Sequence, residues 1–599
     1  QSKVQLEQKL DFITKGLSVR GAVSFDADFT SSMKRTKKPA TFFSNKRDDF
    51  GNLIMQSVSV EEALSDPVKS STSGEKRIYI EGALNYKRLF GEKHDVNGIL
   101  VYSQKETQYQ NVDGLKLLPY RKQNLVGRIS YGYDSRYMLE GSFGMTGSEN
   151  FAEGHRWGIF PAVGAAWYIS NESFIRNHSA AKWLSKLKLR TSYGMTGNDN
   201  IGPSSRFPYR EQLKTNDSGY AFNIPVGSSG GNPSGGNGIV ESTFAAPVLS
   251  WEIEKKFNVG VDLGFFDNRI DITADYFFNR REDILIQRKI VPKTLGFRVN
   301  PWQNFGIVDN KGLDGSLTLN HQFGDLKVSA RGNITYVRNE IVEYDEVPSK
   351  YNYQNYTGQS IGQPYCYIAE GLYTPDDFTT TTTSTEGYLY ELKADVPKPA
   401  ANVAPGDIKY KDLNGDGLIN EYDMTYENGL NSTNPELVYG FGLNLEYKGF
   451  FAGIFFQGVG KTTVNLMSNS NYFMPFIRGV EGGSARMEAL SHWSADNPYN
   501  QDVLYPRIHA AKFDHNIEKS TWWYRDGSFL RLKNVEFGYE FSKDMIKKMR
   551  MTNLRLYVQG TNLAVWDNIK LWDPELGNSN SGAKYPLGAT WTVGLEVSF

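Results

Sequence analysis

The chain has 599 residues, with 66 Lys+Arg against 67 Asp+Glu and a formal charge of −1, which removes the general electrostatic case for nucleic acid as a partner. A single cysteine, Cys366, excludes an intramolecular disulfide framework and any cysteine-based zinc or iron–sulfur cluster. The 58 glycines and 14% aromatics point to β structure, and no stretch reaches the roughly 18 apolar residues of a membrane helix. A β-barrel stays open, because its strands are only half apolar.

Period-2 alternation runs almost from end to end. Taken in chain order, about sixteen segments carry it: 17–29, 78–86, 96–102, 126–133, 137–145, 160–169, 187–195, 257–265, 270–278, 313–319, 326–336, 437–447, 450–458, 529–541, 554–562 and 591–599. Many approach the 9–11 residues of a tilted transmembrane strand. In the ninth, Ile270, Ile272, Ala274, Tyr276 and Phe278 alternate with a mostly polar set headed by Asp271 and Thr273.

The connections alternate too. Tight turns at 89–93, 134–136, 266–269, 324–325 and 448–449 take turns with long stretches at 30–76, 103–122, 197–250, 282–312, 341–434, 461–528 and 563–590. Sorting of loops by side is the layout of an outer-membrane, up-and-down antiparallel β-barrel, with short periplasmic turns and long extracellular loops. A soluble sandwich has no reason to sort its loops. The C-terminal segment ends on aromatic Phe599, as a closing strand at the periplasmic interface would.

One motif carries chemistry. Asp412, Asn414, Asp416, Asn420 and Asp423 put oxygen side chains at loop positions 1, 3, 5, 9 and 12, with Gly417 at 6 and the Leu418 carbonyl at 7. That is the calcium-loop spacing of an EF-hand, with a shorter aspartate at the last position. Ca²⁺ is the cofactor it implies, as a structural staple for the long loop 341–434. The bland alternative is a solvated Asp/Asn/Gly turn. The seven histidines show no zinc spacing and receive no role. No nucleophile elbow is present, and the chain is not read as an enzyme. The glycine-rich stretch 227–238 reads as a loop. Aromatic clusters at Tyr351, Tyr353 and Tyr356, at Tyr472, Phe473 and Phe476, and at Trp522–Tyr524 would either stack on sugar faces or pack loop on loop.

Several stretches look familiar together. Gly406-Asp-Ile-Lys-Tyr-Lys-Asp-Leu-Asn-Gly-Asp-Gly417, Arg525-Asp-Gly-Ser-Phe-Leu-Arg-Leu-Lys-Asn-Val535 and Leu554-Arg-Leu-Tyr-Val-Gln-Gly-Thr-Asn-Leu563 resemble signatures of SusC/RagA-type TonB-dependent transporters. Asp573-Pro-Glu-Leu-Gly577, followed by Tyr585-Pro586 and Phe599, is similar to that family's last loop and strand. Arg190-Thr-Ser-Tyr-Gly-Met-Thr-Gly197 is similar to another strand end. The motifs run in family order over about residues 190–599.

The resemblance implies a 22-stranded outer-membrane barrel of a Gram-negative bacterium, a plug inside it, and a TonB-contacting N-terminal segment. It also implies a SusD-like lipoprotein as lid, and oligosaccharides or peptides as substrates. With no plug or TonB box readable, residues 1–599 are expected to be the C-terminal portion of the barrel of a longer transporter. Two rivals remain. A passive sixteen-stranded porin would require segment 17–29 to pair with 591–599. A secreted, calcium-binding, glycan-binding β protein would call for regular repeats, and none is found.

Overall fold

Alternating apolar and polar residues need a wall with two unlike faces, and one antiparallel sheet supplies it. The computed structural model describes residues 2–200, 206–217, 238–296, 299–384, 387–477, 485–547 and 550–599. Among the described residues seventeen strands form the sheet, each paired with its neighbours in chain order. They are β1 (Ser2–Lys9), β2 (Leu17–Lys34), β3 (Val68–Phe90), β4 (His94–Gln110), β5 (Tyr120–Tyr133), β6 (Tyr137–Ser148), β7 (Trp157–Tyr168), β8 (Leu184–Asn198) and β9 (Glu252–Phe265). Then follow β10 (Ile270–Gln287), β11 (Trp302–Phe323), β12 (Leu326–Glu343), β13 (Leu437–Tyr447), β14 (Phe450–Gly460), β15 (Phe529–Glu540), β16 (Asn553–Asp567) and β17 (Thr590–Ser598). All sixteen segments read from alternation are strands. The seventeenth, β1, has only Val4 and Leu6 as apolar residues, too short an alternation to stand out.

The register keeps the two faces separate across the whole wall. Val19 lies opposite Leu84, Leu84 opposite Leu100, Leu100 opposite Gly127 and Gly127 opposite Phe143. Further round, Ile272, Leu317, Gly332, Phe441 and Phe456 form a similar row. The side chains of these rows point outward and are exposed or half-buried, Leu84 at 43% and Phe441 at 44%. A large apolar surface of this kind belongs in lipid. Among the described residues no helix is long and apolar enough to cross a membrane.

Segment 17–29 does not pair with 591–599. Strand β2 lies between β1 and β3, and β17 pairs only with β16 among the described residues. The pairing that the porin reading requires is therefore not made.

Strands overrun the alternating segments on the long-loop side. β3 has 23 residues and β11 has 22. At ~3.4 Å per residue and a tilt of about 45°, 23 residues rise roughly 55 Å, about twice the ~25 Å apolar band. Residues 68–76 fall within the long stretch 30–76 of the sequence reading because a strand standing in water on both faces needs no apolar side. Residues 227–237 of the glycine-rich stretch lie outside the described residues.

Candidate functional site

The long connections fold together above one end of the wall. Short sheets order them: Cys366–Tyr367 pairs with Met424–Thr425, Ala369–Leu372 with Ile408–Tyr410, and Thr463–Asn465 with Tyr524–Asp526. Leu372, Ile408, Tyr410 and Ile419 come from the first loop, Leu466, Phe473, Tyr505 and Trp523 from the second, and Ile569 from the third, and all are buried in one core. Two of the aromatic clusters thus contribute to loop-on-loop packing: Phe473 is 1% exposed and Trp523 0%, whereas Tyr472 remains 52% exposed. In the other cluster Tyr351 stacks on Tyr353 at 5.3 Å, and Tyr356 stacks on Tyr426 at 5.0 Å.

A buried carboxylate joins the first two loops. Asp407 is fully buried. It accepts hydrogen bonds from Arg507 Nη2 at 2.7 Å, Asn516 Nδ2 at 2.8 Å, the Ala404 N–H at 2.9 Å and His509 Nε2 at 3.0 Å. Burial alone would push its carboxyl up. The hydrogen bonds from His509 and Arg507 and the Arg507 charge instead hold it below the ordinary 3.8. His515 donates from Nε2 to the Ile408 carbonyl at 2.7 Å, and burial lowers its pKa from the ordinary 6.5. Sequence spacing left these histidines without a role. Six residues apart, they share no helical face. They converge because the chain at 507–517 curls round Asp407 and Ile408. Next to them, Gly406 has φ +91°, and a Cβ there would lie 2.2 Å from the Trp493 ring.

The loop 412–423 is ordered by its own backbone. Gly415 and Gly417 N–H groups donate to Asp412 at 2.7 and 2.8 Å. The Asp416 N–H donates to Asn414, the Leu418 N–H to Asp416 and the Tyr422 N–H to Asn420, each at 2.9 Å. Asp423 accepts from the Leu413 and Asn420 N–H groups at 2.9 Å. Gly415 and Gly417 have φ +73° and +77°, which these turns require. Asp423 is buried, and burial together with the charge of Asp412 holds its carboxyl above the ordinary value against those N–H donors. Among the described residues no three His, Cys, Asp or Glu side chains gather as a metal-holding group.

Two motifs quoted above meet in space. Arg531, whose side chain is 2% exposed, pairs with Asp573 at 2.6 Å and with Glu575 at 2.7 Å, fastening the last loop to β15. Below the loops the inner face of the wall is polar. Arg190 on β8 makes two 2.8 Å hydrogen bonds to Asp275 on β10 and one of 3.1 Å to Asp262 on β9. Beneath the loop layer, a hollow of about 410 Å³ is lined by residues including Gln457, Thr463, Phe529, Glu575 and Asn578.

A model of the β-barrel of TonB-dependent receptor-like proteins matches residues 17–563. The chain belongs to that family. It is similar to TonB-dependent receptor P3 of Formosa agariphila, 28% identical over 561 residues, covering 88% of this chain and 51% of that protein. It is also similar to the TonB-dependent receptor SusC of Bacteroides thetaiotaomicron, 26% identical over 504 residues, covering 79% and 43%. The RagAB peptide transporter shares the fold at TM-score 0.67 and 22% identity, over 100% of this chain and 62% of that one. The chain spans about half the length of the curated relatives it matches. The SusC/RagA resemblance and the outer-membrane setting therefore hold, with the apolar rows facing lipid and the polar face turned to the lumen.

Proposed function

We propose that this chain is the C-terminal part of the barrel of an outer-membrane importer, energised through TonB, that takes up oligosaccharides or peptides with a SusD-like lipoprotein at its mouth. The observation that carries the reading is the family match over residues 17–563. The shared loop core supports it, because a packed extracellular layer over a polar lumen offers a substrate a structured mouth. Ion pairs such as Arg190–Asp275 give the lumen wall the polar character that hydrophilic substrates need.

Uptake by intact cells carrying the full-length protein tests this. Labelled oligosaccharides and labelled peptides of similar mass are supplied separately, with and without a protonophore. Uptake of one class, abolished by the protonophore and by deletion of the gene, is expected. Uptake that survives the protonophore would overturn the energised reading.

We also propose that the loop 412–423 takes one Ca²⁺ through Asp412, Asn414, Asp416, Asn420, Asp423 and the Leu418 carbonyl. The EF-hand spacing supports it, as does the raised carboxyl of Asp423 beside Asp412, since a cation there would offset both charges. Calcium should slow proteolysis within 405–425 in the native protein and not in Asp416→Ala. Equal cleavage with calcium and with chelator would remove the ion from the reading.

A further inference from the structure

We propose that the outer wall at β5–β8 holds a seat for one phospholipid acyl chain. A groove of about 540 Å³ lies on the lipid-facing side. Its floor is made of small residues, Gly141, Ala165 and Thr191, and Leu139, Val163 and Tyr193 rise beside it. The register produces this shape. One outward row reads Ile129, Gly141, Val163, Tyr193, and the next reads Tyr131, Leu139, Ala165, Thr191. The small residues of the two rows are diagonal neighbours, so they form a slot between large ones. The slot is open: a Cβ added at Gly141 would meet nothing within 4 Å. The Thr191 hydroxyl on its floor is turned away to the Asn258 carbonyl, to which it donates at 3.2 Å.

Its position identifies the occupant. Ile129 lies four residues before the end of β5 at Tyr133, about 10 Å above the turn for a strand tilted by ~45°. That depth is in the acyl region near the periplasmic surface. The row below the slot is an aromatic ladder at the headgroup level. Tyr133 stacks with Tyr137, and Tyr137 with Trp167, each at 6.4 Å between ring centres. Arg136 lies over the Tyr133 and Tyr137 rings at 5.7 and 5.8 Å, held there by ion pairs to Asp134 and Glu172 at 3.0 Å, and so marks the polar boundary of the wall. The groove is continuous with the lipid-facing surface on all sides, and a slot one side chain wide suits a chain of methylenes.

The test is native mass spectrometry of the full-length transporter in detergent, titrated with palmitoyl-oleoyl phosphatidylethanolamine. Gly141→Phe and Ala165→Leu fill the slot from two strands. Gly82→Phe is the control: it is outward-facing on β3, equally open at its Cβ, and outside the groove. Both filling variants should lose one tightly retained phospholipid per barrel, and the control should keep it. Heat-modifiable gel mobility shows which variants are folded, and if Gly141→Phe is not, Ala165→Leu decides alone. Retention equal to wild type in the folded filling variants overturns the proposal. So does an equal loss in Gly82→Phe, or a change in barrel dimerisation with lipid unchanged.

Discussion

At Gly260 the missing side chain lets Arg190 on β8 reach Asp275 on β10 across the strand between them. A Cβ at Gly260 would sit 2.4 Å from the Asp275 carboxylate and 2.9 Å from the Arg190 guanidinium carbon. Gly260→Val should therefore break the bidentate pair and lower the stability of the folded barrel by about 1–3 kcal/mol, read as a lower urea midpoint in micelles. An unchanged midpoint would show that the pair contributes nothing. Arg531 makes the second residue-scale case. Its side chain is 2% exposed, with Asp573 and Glu575 as its ion-pair partners. Asp573→Ala leaves a buried guanidinium half compensated, at a cost on the order of 3 kcal/mol. Faster proteolysis within 568–589, with the wall intact, is the expected readout.

At the scale of elements, the loops are held by a clasp with a predictable pH dependence. Asp407 has a depressed pKa, so its contribution is full above the ordinary 3.8 and is lost as pH falls through its folded value. His515 is also depressed, because burial disfavours its charged form. Its contribution is present above the ordinary 6.5 and is lost as pH falls through the folded value, where protonation puts a charge in the loop core. Both shifts make acid the loosening direction. Limited proteolysis of the loop layer should accelerate below pH 6.5, and His515→Gln should remove the part of that slope nearest neutrality. A pH-independent cleavage rate would count against the clasp. Gly406→Ala should give the loosened pattern at every pH, since its methyl would overlap the Trp493 ring and its φ is positive.

For the whole molecule, the separation of long loops from short turns is a statement about the two sides of a membrane. Glu427 is exposed in the first long loop, and the Asp325 side chain is 66% exposed in a tight turn. The single native cysteine, Cys366, is buried, and burial pushes its thiol up to about 12, so background labelling should be low. An impermeant maleimide applied to intact cells should modify Glu427→Cys and spare Asp325→Cys until the outer membrane is opened. Equal modification at both positions would refute the orientation.

The strand order was legible in the chain because a lipid wall imposes a rule on every second residue and a tight turn on every second connection. The sixteen segments and the sorted loops follow from that rule, whereas the absence of pairing between 17–29 and 591–599 was an expectation of the family resemblance, because a closed porin obeys the same alternation. The outward extensions of β3 and β11 were not legible, since a strand with water on both faces is free of the rule. The calcium spacing was legible as five oxygen-bearing residues, yet spacing alone does not say whether their oxygens turn to an ion or to their own N–H groups. Only tertiary structure brought Asp407 to Arg507 and His509, a hundred residues away, and Arg531 to Asp573. Loop cores obey no local period: their contacts are set by how separate connections meet above the wall, a relation between distant segments that one-dimensional spacing does not encode.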